Sequence, residues 1–177
     1  YSMGARLALS YTVRYSRYVS ALILIGGTAG IEDRKEAERR AGADAQLAAR
    51  VEREGIAEFT HYWEHLPMFS SQFQLPFELR LTIRRIRLSQ RPLGIANTLR
   101  MAGTGLMAPL WEFLPELHTP TLLITGSNDV KFTEIAQRMM HVLPHGNHVT
   151  IPNAGHAAHI ENSHKVAGHI KAFLGKI

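Results

Sequence analysis

With 177 residues, the chain is long enough for one domain with a hydrophobic core, and its 45% apolar and 20% charged residues are typical of globular proteins. It contains no cysteine, which excludes disulfides and thiolate metal sites and favours a reducing compartment, so we expect a cytoplasmic location. No apolar run approaches the length of a membrane span, and the first residues lack the basic region of a signal peptide.

The formal net charge of +5 would favour binding to a negatively charged partner, such as a nucleic acid or an acidic substrate. Arginine outnumbers lysine, but the arginines are spread along the chain and are not interleaved with aromatic residues as in nucleic-acid modules. We therefore expect no nucleic-acid partner. Most arginines are expected on solvated helix faces, and a few suit a pocket for a small substrate with several carboxylates, because the guanidinium fork binds carboxylates through paired hydrogen bonds.

The chain opens with Tyr-Ser-Met-Gly-Ala-Arg, in which residues 2–4 match the last three positions of a G-x-S-x-G nucleophile elbow. In that motif the serine lies on a tight turn between a strand and a helix. The motif's first glycine would precede Tyr1, and an ordinary serine before a helix is the alternative. We predict a helix over 3–15 that packs on a sheet. Its expected sheet-facing residues are Met3, Leu7, Ala8 and Tyr11.

Residues 18–26 form an apolar run that ends in two glycines, which is typical of a parallel strand buried on both faces. The sequence pattern then changes over 28–112, where charged residues recur with helical spacing and prolines interrupt the predicted helices. We interpret 28–112 as an inserted helical cap, a lid that excludes water from a site. Helical stretches are predicted at 32–54, 56–66, 76–89 and 92–103.

A strand-like apolar pattern returns after Pro120, and predicted strands and helices then alternate to the end of the chain. Strands are predicted at 121–125 and 148–152, and helices at 132–143 and 161–174. The residues expected on one face of the first of these helices are Phe132, Ile135, Met139 and Val142. This alternation predicts an α/β fold with a parallel sheet, whose core comes from residues 1–27 and 113–177.

Three reactive residue types follow or flank predicted strands, in the order Ser2, Asp129, His156. Carboxyl ends of parallel strands meet at one edge, where such residues collect. A histidine can accept the serine proton, and an acid on its other nitrogen fixes its tautomer, so the three suit a Ser-His-Asp triad. Asp129 could instead shape a turn beside Asn128, and His159 is the alternative histidine.

The chain resembles the carboxyl-terminal two-thirds of an α/β-hydrolase-fold protein. Within that family it more closely resembles the 2-succinyl-6-hydroxy-2,4-cyclohexadiene-1-carboxylate synthases of menaquinone biosynthesis. The matching stretches are Y-S-M-G-A-R at 1–6, R-R-A-G-A-D at 39–44, Y-W-E-H-L-P-M-F at 62–69, R-L-S-Q at 87–90, G-T-G at 103–105, G-S-N-D-V-K-F at 126–132 and N-A-G-H-A-A-H-I-E-N at 153–162. The resemblance implies that the N-terminal strands and one oxyanion-hole loop lie outside this chain. Ala5 stands where a second glycine is common in the family.

The resemblance implies a lyase that eliminates pyruvate from 2-succinyl-5-enolpyruvyl-6-hydroxy-3-cyclohexene-1-carboxylate, with no metal and no cofactor. Ser2 would be base or nucleophile, His156 its proton acceptor, Asp129 the orienting acid, and the Met3 N–H an oxyanion donor. The implied substrate-binding residues are Arg6, Arg40, Trp63 and Arg87. Arg39 is an alternative to Arg40, and Arg84 and Arg85 are alternatives to Arg87. Trp63 could instead belong to the hydrophobic core of the cap, with no part in substrate binding.

Two other functions compete with this interpretation. A serine esterase, thioesterase or carbon–carbon hydrolase of the same fold would use the triad with water as second substrate. A truncated, non-catalytic fragment would retain the motifs without turnover. Turnover of uncharged esters without need of the arginines would favour the hydrolase.

Overall fold

The computed structural model describes all residues, Tyr1–Ile177, and divides them into two compact units. The first comprises Tyr1–Ala29 with Pro109–Ile177, and the second comprises Gly30–Ala108. The second unit is shorter at both ends than the predicted cap. The reason lies in the first unit, where the backbone N–H of Leu110 donates to the carbonyl of Ala29 at 2.7 Å and ties the two chain segments together.

The first unit is built on a parallel sheet of three strands, β1 (Leu22–Ile25), β2 (Thr121–Gly126) and β3 (Gly146–Ile151), in the order β1-β2-β3. All six residues of the central strand β2 are buried. Because the strands are parallel, their carboxyl ends meet at one edge of the sheet. The prediction of an α/β fold with a parallel sheet is confirmed.

Two strands differ in extent from the predicted ones. β1 begins at Leu22 rather than at residue 18, because Ser16–Tyr18 form a 3-10 turn. β3 begins earlier than predicted, at Gly146, which lies opposite Thr121 in β2. It ends at Ile151, since the following proline has no N–H to extend the ladder.

Four helices cover the sheet: α1 (Met3–Tyr15), α5 (Val130–Val142), α6 (Ala158–Glu161) and α7 (Ser163–Leu174). α1 has the predicted bounds, but its predicted face is wrong. Its buried residues are Ala5, Leu9 and Thr12, whereas Leu7 is 55% exposed and Tyr11 is 51% exposed. Positions 5, 9 and 12 form one stripe at helical spacing, and residues 7 and 11 lie on another side of the helix.

The other helices also depart in detail from their predictions. α5 buries Ala136 and Met139, and Val142 at its end is 38% exposed. The single helix predicted at 161–174 is interrupted at Asn162, whose φ of −148° is not helical. The core beneath these helices combines one face of β2 with β3 and α7, through Leu122, Ile124, Ile151, Val166 and Phe173.

The second unit is helical throughout its ordered elements, which are α2 (Arg34–Glu64), a 3-10 segment (Pro67–Gln74), α3 (Phe77–Leu88), α4 (Pro92–Ala102) and a short 3-10 turn (Thr104–Leu106). Asp33 caps α2 by accepting from the N–H of Glu36 at 2.7 Å. The predicted break between residues 54 and 56 coincides with Gly55, whose φ of 83° interrupts the helix. None of the protein's helices combines the length and apolar composition that a membrane crossing needs.

Candidate active site

Ser2 lies at the carboxyl edge of the sheet in a backbone conformation that few residues adopt. Its φ is 48° and its ψ is −111°, and helix α1 begins at the next residue. Its N–H donates to the carbonyl of Ile25, the last residue of β1, at 2.8 Å. Such a positive φ costs about 1–3 kcal/mol in a non-glycine residue and occurs mostly at functional sites. The turn therefore has the geometry of a nucleophile elbow.

His156 links Ser2 to Asp129 through its two ring nitrogens. Its Nε2 lies 3.0 Å from Ser2 Oγ, and its Nδ1 lies 2.7 Å from Asp129 Oδ2. Both His156 and Asp129 are buried, and Ser2 is partly exposed. A carboxylate on Nδ1 holds the proton there, which leaves Nε2 to accept the Ser2 Oγ–H. The structure thus brings together the three residues that the sequence singled out.

Backbone hydrogen bonds fix the turn that carries Asp129 to the loop that carries His156. The N–H of Asn128 donates to the carbonyl of Ala154 at 2.9 Å, and the N–H of Asn153 donates to Ser127 Oγ at 2.9 Å. Asn153 takes a φ of 57°, which asparagine tolerates better than most residues. The acid and the histidine therefore sit on two loops that are fastened to one another.

The alternative residues do not occupy the triad positions. His159 packs against Tyr1, with ring centroids 4.5 Å apart and the two rings tilted, and its buried Nδ1 has no hydrogen-bond partner. Burial lowers the pKa of His159. Asn128 is exposed and contributes its backbone N–H to the loop contact. Around His156 itself pack the rings of Phe132 and Tyr1, with centroids 4.4 Å and 5.2 Å away.

Met3 and Arg6 occupy the first turn of α1. The first N–H groups of a helix have no acceptor within the helix. The Met3 N–H is therefore available to donate to a negatively charged oxygen of a substrate that reacts at Ser2. The N–H of Arg6 donates to the Ser2 carbonyl at 3.1 Å, and the Arg6 side chain is half-buried. Ala5 is buried, and its methyl is accommodated because residue 27 is glycine, where a Cβ would lie 3.0 Å away.

In the second unit, Arg40 is held by a buried carboxylate one turn along α2. Its Nε lies 3.0 Å from each oxygen of Asp44, whose side chain is 7% exposed against 45% for Arg40. Asp44 in turn lies against Gly103, where a Cβ would approach its Oδ2 to 2.6 Å. The alternative, Arg39, is exposed, as Arg40 also is. Asp44 engages Nε of the guanidinium, and neither terminal nitrogen of Arg40 forms a hydrogen bond with it.

Arg87 and Trp63 pack within the second unit. Arg87 is 18% exposed and donates to Gln72 Oε1 at 2.8 Å, with its guanidinium over the Phe69 ring. Trp63 stacks on Phe59 with centroids 5.2 Å apart and also contacts Phe69. Each side chain therefore has structural partners in addition to any ligand.

The alternatives to Arg87 differ in their surroundings. Arg84 pairs with Glu64 and lines a pocket with Arg80, Arg87, Phe73 and Phe77, and Arg85 is exposed.

One cluster at the end of α2 has the side chains of a metal site. The ligand atoms of His61, Glu64 and His65 lie within 4.8 Å of one another. The Nδ1 of His65 already bonds the carbonyl of His61 at 2.7 Å, and Glu64 pairs with Arg84. A metal would have to compete with that arginine for the carboxylate.

A model of the alpha/beta hydrolase family matches residues 1–169. The chain belongs to the alpha/beta hydrolase family. Over its whole length it is 39% identical to a Bacillus subtilis (strain 168) relative that bears, provisionally, the name 2-succinyl-6-hydroxy-2,4-cyclohexadiene-1-carboxylate synthase. Among solved structures, MenH from S. aureus superposes with a TM-score of 0.97 at 39% identity, over 99% of this chain. A thermophilic esterase from Thermogutta terrifontis, solved with malate bound, superposes with a TM-score of 0.84 at 29% identity over 99% of this chain.

This alpha/beta hydrolase chain spans just under two thirds of the length of these relatives. The share is 65% of the Bacillus subtilis relative, 66% of S. aureus MenH and 62% of the esterase.

Three residues with a part in the site did not stand out in the sequence. They are Glu161, Gly26 and Asp44. Glu161 contacts the backbone on both sides of His156, Gly26 faces the His156 ring, and Asp44 holds Arg40. The spacing of Asp44 four residues after Arg40 is a signal that could have been used, because side chains at that spacing meet on a helix.

Proposed function

We propose that the protein is a 2-succinyl-6-hydroxy-2,4-cyclohexadiene-1-carboxylate synthase, a lyase that releases pyruvate in menaquinone biosynthesis. The observation that supports this most is the hydrogen-bonded chain from Ser2 through His156 to Asp129, beside a strained serine, in a chain 39% identical to one relative of that name. We further propose a cytoplasmic location, since a chain without cysteine suits a reducing compartment.

The names of substrate and product define the proton that has to move. The substrate has its ring double bond at carbon 3 and the enolpyruvyl oxygen on carbon 5, and the product is a 2,4-diene. Loss of a proton from carbon 2 therefore shifts the double bond, breaks the carbon 5–oxygen bond and releases the enolate of pyruvate, which takes up a proton on carbon. No oxidant or reductant is needed.

In this proposal the triad supplies the base. His156 accepts the Ser2 proton at Nε2, and Ser2 Oγ removes the proton from carbon 2 of the ring. Asp129 stabilises the imidazolium through its 2.7 Å contact with Nδ1. As carbon 2 loses its proton, negative charge develops on the carbonyl oxygen of the succinyl group attached to that carbon. The Met3 N–H stabilises this charge. His156 then gives its proton to the carbon of the released pyruvate enolate, and Ser2 Oγ keeps the proton taken from carbon 2, so that no net change remains on the protein.

The arginines give the proposed lyase its preference for a polycarboxylate. We assign Arg6, Arg40 and Arg87 to the substrate's carboxylates and Trp63 to the face of its ring. Arg40 is the best prepared of these, because Asp44 fixes its Nε and leaves its terminal nitrogens for a ligand. A charge-assisted hydrogen bond of this kind contributes about 1.5–3 kcal/mol.

A serine esterase is the second candidate, favoured by the likeness to the Thermogutta terrifontis esterase at 29% identity. The same triad would then attack an ester carbonyl, and water would release the acyl group.

Two assays on the natural protein separate the candidates: pyruvate release from the enolpyruvyl substrate, and hydrolysis of a small neutral ester. The lyase proposal expects fast pyruvate release, with kcat/KM reduced about tenfold to a hundredfold in Arg40→Ala and slow ester turnover. Arg39→Ala, a change at a neighbouring exposed arginine, is the matched control. Fast ester hydrolysis that ignores Arg40, without pyruvate, would establish the esterase instead.

A further inference from the structure

Glu161, at the end of α6, contacts the main chain on both sides of His156. One carboxylate oxygen accepts from the N–H of Gly155 at 2.7 Å, and the other accepts from the N–H of Ala157 at 3.3 Å. We propose that Glu161 is a positioning residue for the catalytic histidine. The inference rests on the part of the proposed function that makes His156 a base, and is independent of the substrate.

The N–H groups of Gly155 and Ala157 need an acceptor. Gly155 and Ala157 are both buried, and a buried N–H without a partner costs about as much as a lost hydrogen bond. The Glu161 carboxylate satisfies both, one with each oxygen. Hydrogen bonds to an ionised carboxylate are stronger than bonds between neutral groups. The single side chain therefore holds the His156–Ala157 peptide group, which directly follows His156, and the Ala154–Gly155 peptide group, which lies one residue further upstream.

The direction of the imidazole depends on these anchors, because holding the main chain on both sides of a residue limits the directions that its Cα–Cβ bond can take. Upstream, the Ala154–Gly155 peptide group is held at its N–H by Glu161 and at its carbonyl by the Asn128 N–H. Downstream of His156, the Ala157 N–H is held by Glu161. The distances of 3.0 Å to Ser2 and 2.7 Å to Asp129 thus depend on a carboxylate that touches neither residue.

The His156 ring has little room to move if the main chain is misplaced. A methyl group placed on Gly26 would lie 2.8 Å from Cε1 of His156, and the Phe132 ring is centred 4.4 Å away on another side. A misplaced main chain therefore carries the ring away from its partners. Misplacement of a reacting group by about 1 Å can cost on the order of a hundredfold in rate.

The test compares Glu161→Gln and Glu161→Ala with Glu134→Gln, which makes the same chemical change on the exposed side of α5. Glutamine keeps an oxygen for one amide and turns an NH₂ group towards the other, and alanine leaves both without an acceptor. Four quantities are measured at a temperature where each variant is folded. They are kcat, KM, the low-field NMR resonance of the His156 Nδ1 proton, and the rate of Ser2 labelling by a fluorophosphonate.

We expect kcat to fall about tenfold to a hundredfold in Glu161→Ala and less in Glu161→Gln, with KM little changed. The low-field resonance should shift or broaden, and labelling should slow in parallel. In the labelling reaction Ser2 Oγ bonds to phosphorus, fluoride leaves and His156 takes the proton, so this readout needs no enolpyruvyl substrate. If pyruvate release is absent but the resonance and labelling respond as expected, the lyase proposal fails and the role of Glu161 stands.

Unchanged kcat, resonance and labelling in Glu161→Gln would overturn the inference, even if the variant unfolds at a lower temperature. If both variants fail to fold, amide hydrogen exchange in the unaltered protein decides. The Gly155 and Ala157 N–H groups should then exchange far more slowly than those of exposed loop residues. Exchange at the rate of exposed loops would contradict the contact on which the inference depends.

Discussion

Replacing Gly26 by alanine should disable the site without changing any residue of the triad. Gly26 follows β1 and has a φ of 57°, where a side chain is disfavoured. A Cβ built there would lie 2.8 Å from Cε1 of His156 and 3.0 Å from its Nδ1. The clash is with the ring that links Ser2 to Asp129, so the expected effect is on catalysis as well as on stability.

The size of the effect follows from these two features. The left-handed conformation costs alanine about 1–2 kcal/mol relative to glycine. The 2.8 Å approach is about 0.6 Å short of the 3.4 Å at which ordinary contact begins, so the ring has to move by about that distance. If a 1 Å error costs about a hundredfold, this displacement should lower kcat by about tenfold or more.

The assay is kcat for the natural reaction, measured together with thermal unfolding. Gly168→Ala is the matched control, because Gly168 lies in α7 with nothing within 4 Å of the added methyl group. That change should raise the free energy of unfolding by about 0.5–1 kcal/mol and leave kcat unaltered. A Gly26→Ala protein with the kcat of the unaltered protein would refute the reasoning, since it would mean that the His156 ring tolerates the displacement.

Three further outcomes are expected. Asp129→Asn should lower kcat by a factor on the order of 10³–10⁴ in pyruvate release, because an amide at this position favours the wrong tautomer of His156; a loss below tenfold would argue against the orienting role. Asp44→Asn should raise KM for the polycarboxylate about tenfold while kcat stays within about twofold, since it loosens Arg40; an unchanged KM would remove Arg40 from the substrate site. Burial lowers the pKa of His148 below its usual 6.5, so the unfolded state binds the proton more tightly and the free energy of unfolding should fall as the pH drops below about 6.5. The free energy of unfolding is measured with denaturant at pH 7.5 and pH 5.5, and His148→Gln should make the decrease between the two smaller. An unchanged decrease would show that His148 does not cause the pH dependence.

The sequence was sufficient for features that depend on local signals. Ser2 lies in a short motif before a helix, and Asp129 and His156 each follow a short apolar run and a turn. Parallel strands bring their carboxyl ends together, so placing these residues after strands was enough to predict that they meet. The break in α2 at Gly55 was predictable for the same reason, because glycine weakens a helix locally.

Other features depend on contacts between distant parts of the chain and were missed. The buried stripe of α1 runs through Ala5 and Thr12, which are less apolar than the exposed Leu7 and Tyr11, so hydrophobic pattern alone chose the wrong face. Gly26 is special because the ring of His156 packs against it, which no local pattern shows.

The most direct test of the triad is the effect of Ser2→Ala on pyruvate release from the enolpyruvyl substrate. We expect kcat to fall by several orders of magnitude, because the reacting oxygen is removed. KM should stay close to that of the unaltered protein, since the arginines remain. A Ser2→Ala protein that releases pyruvate at a rate near that of the unaltered protein would contradict the claim that Ser2, His156 and Asp129 carry the reaction.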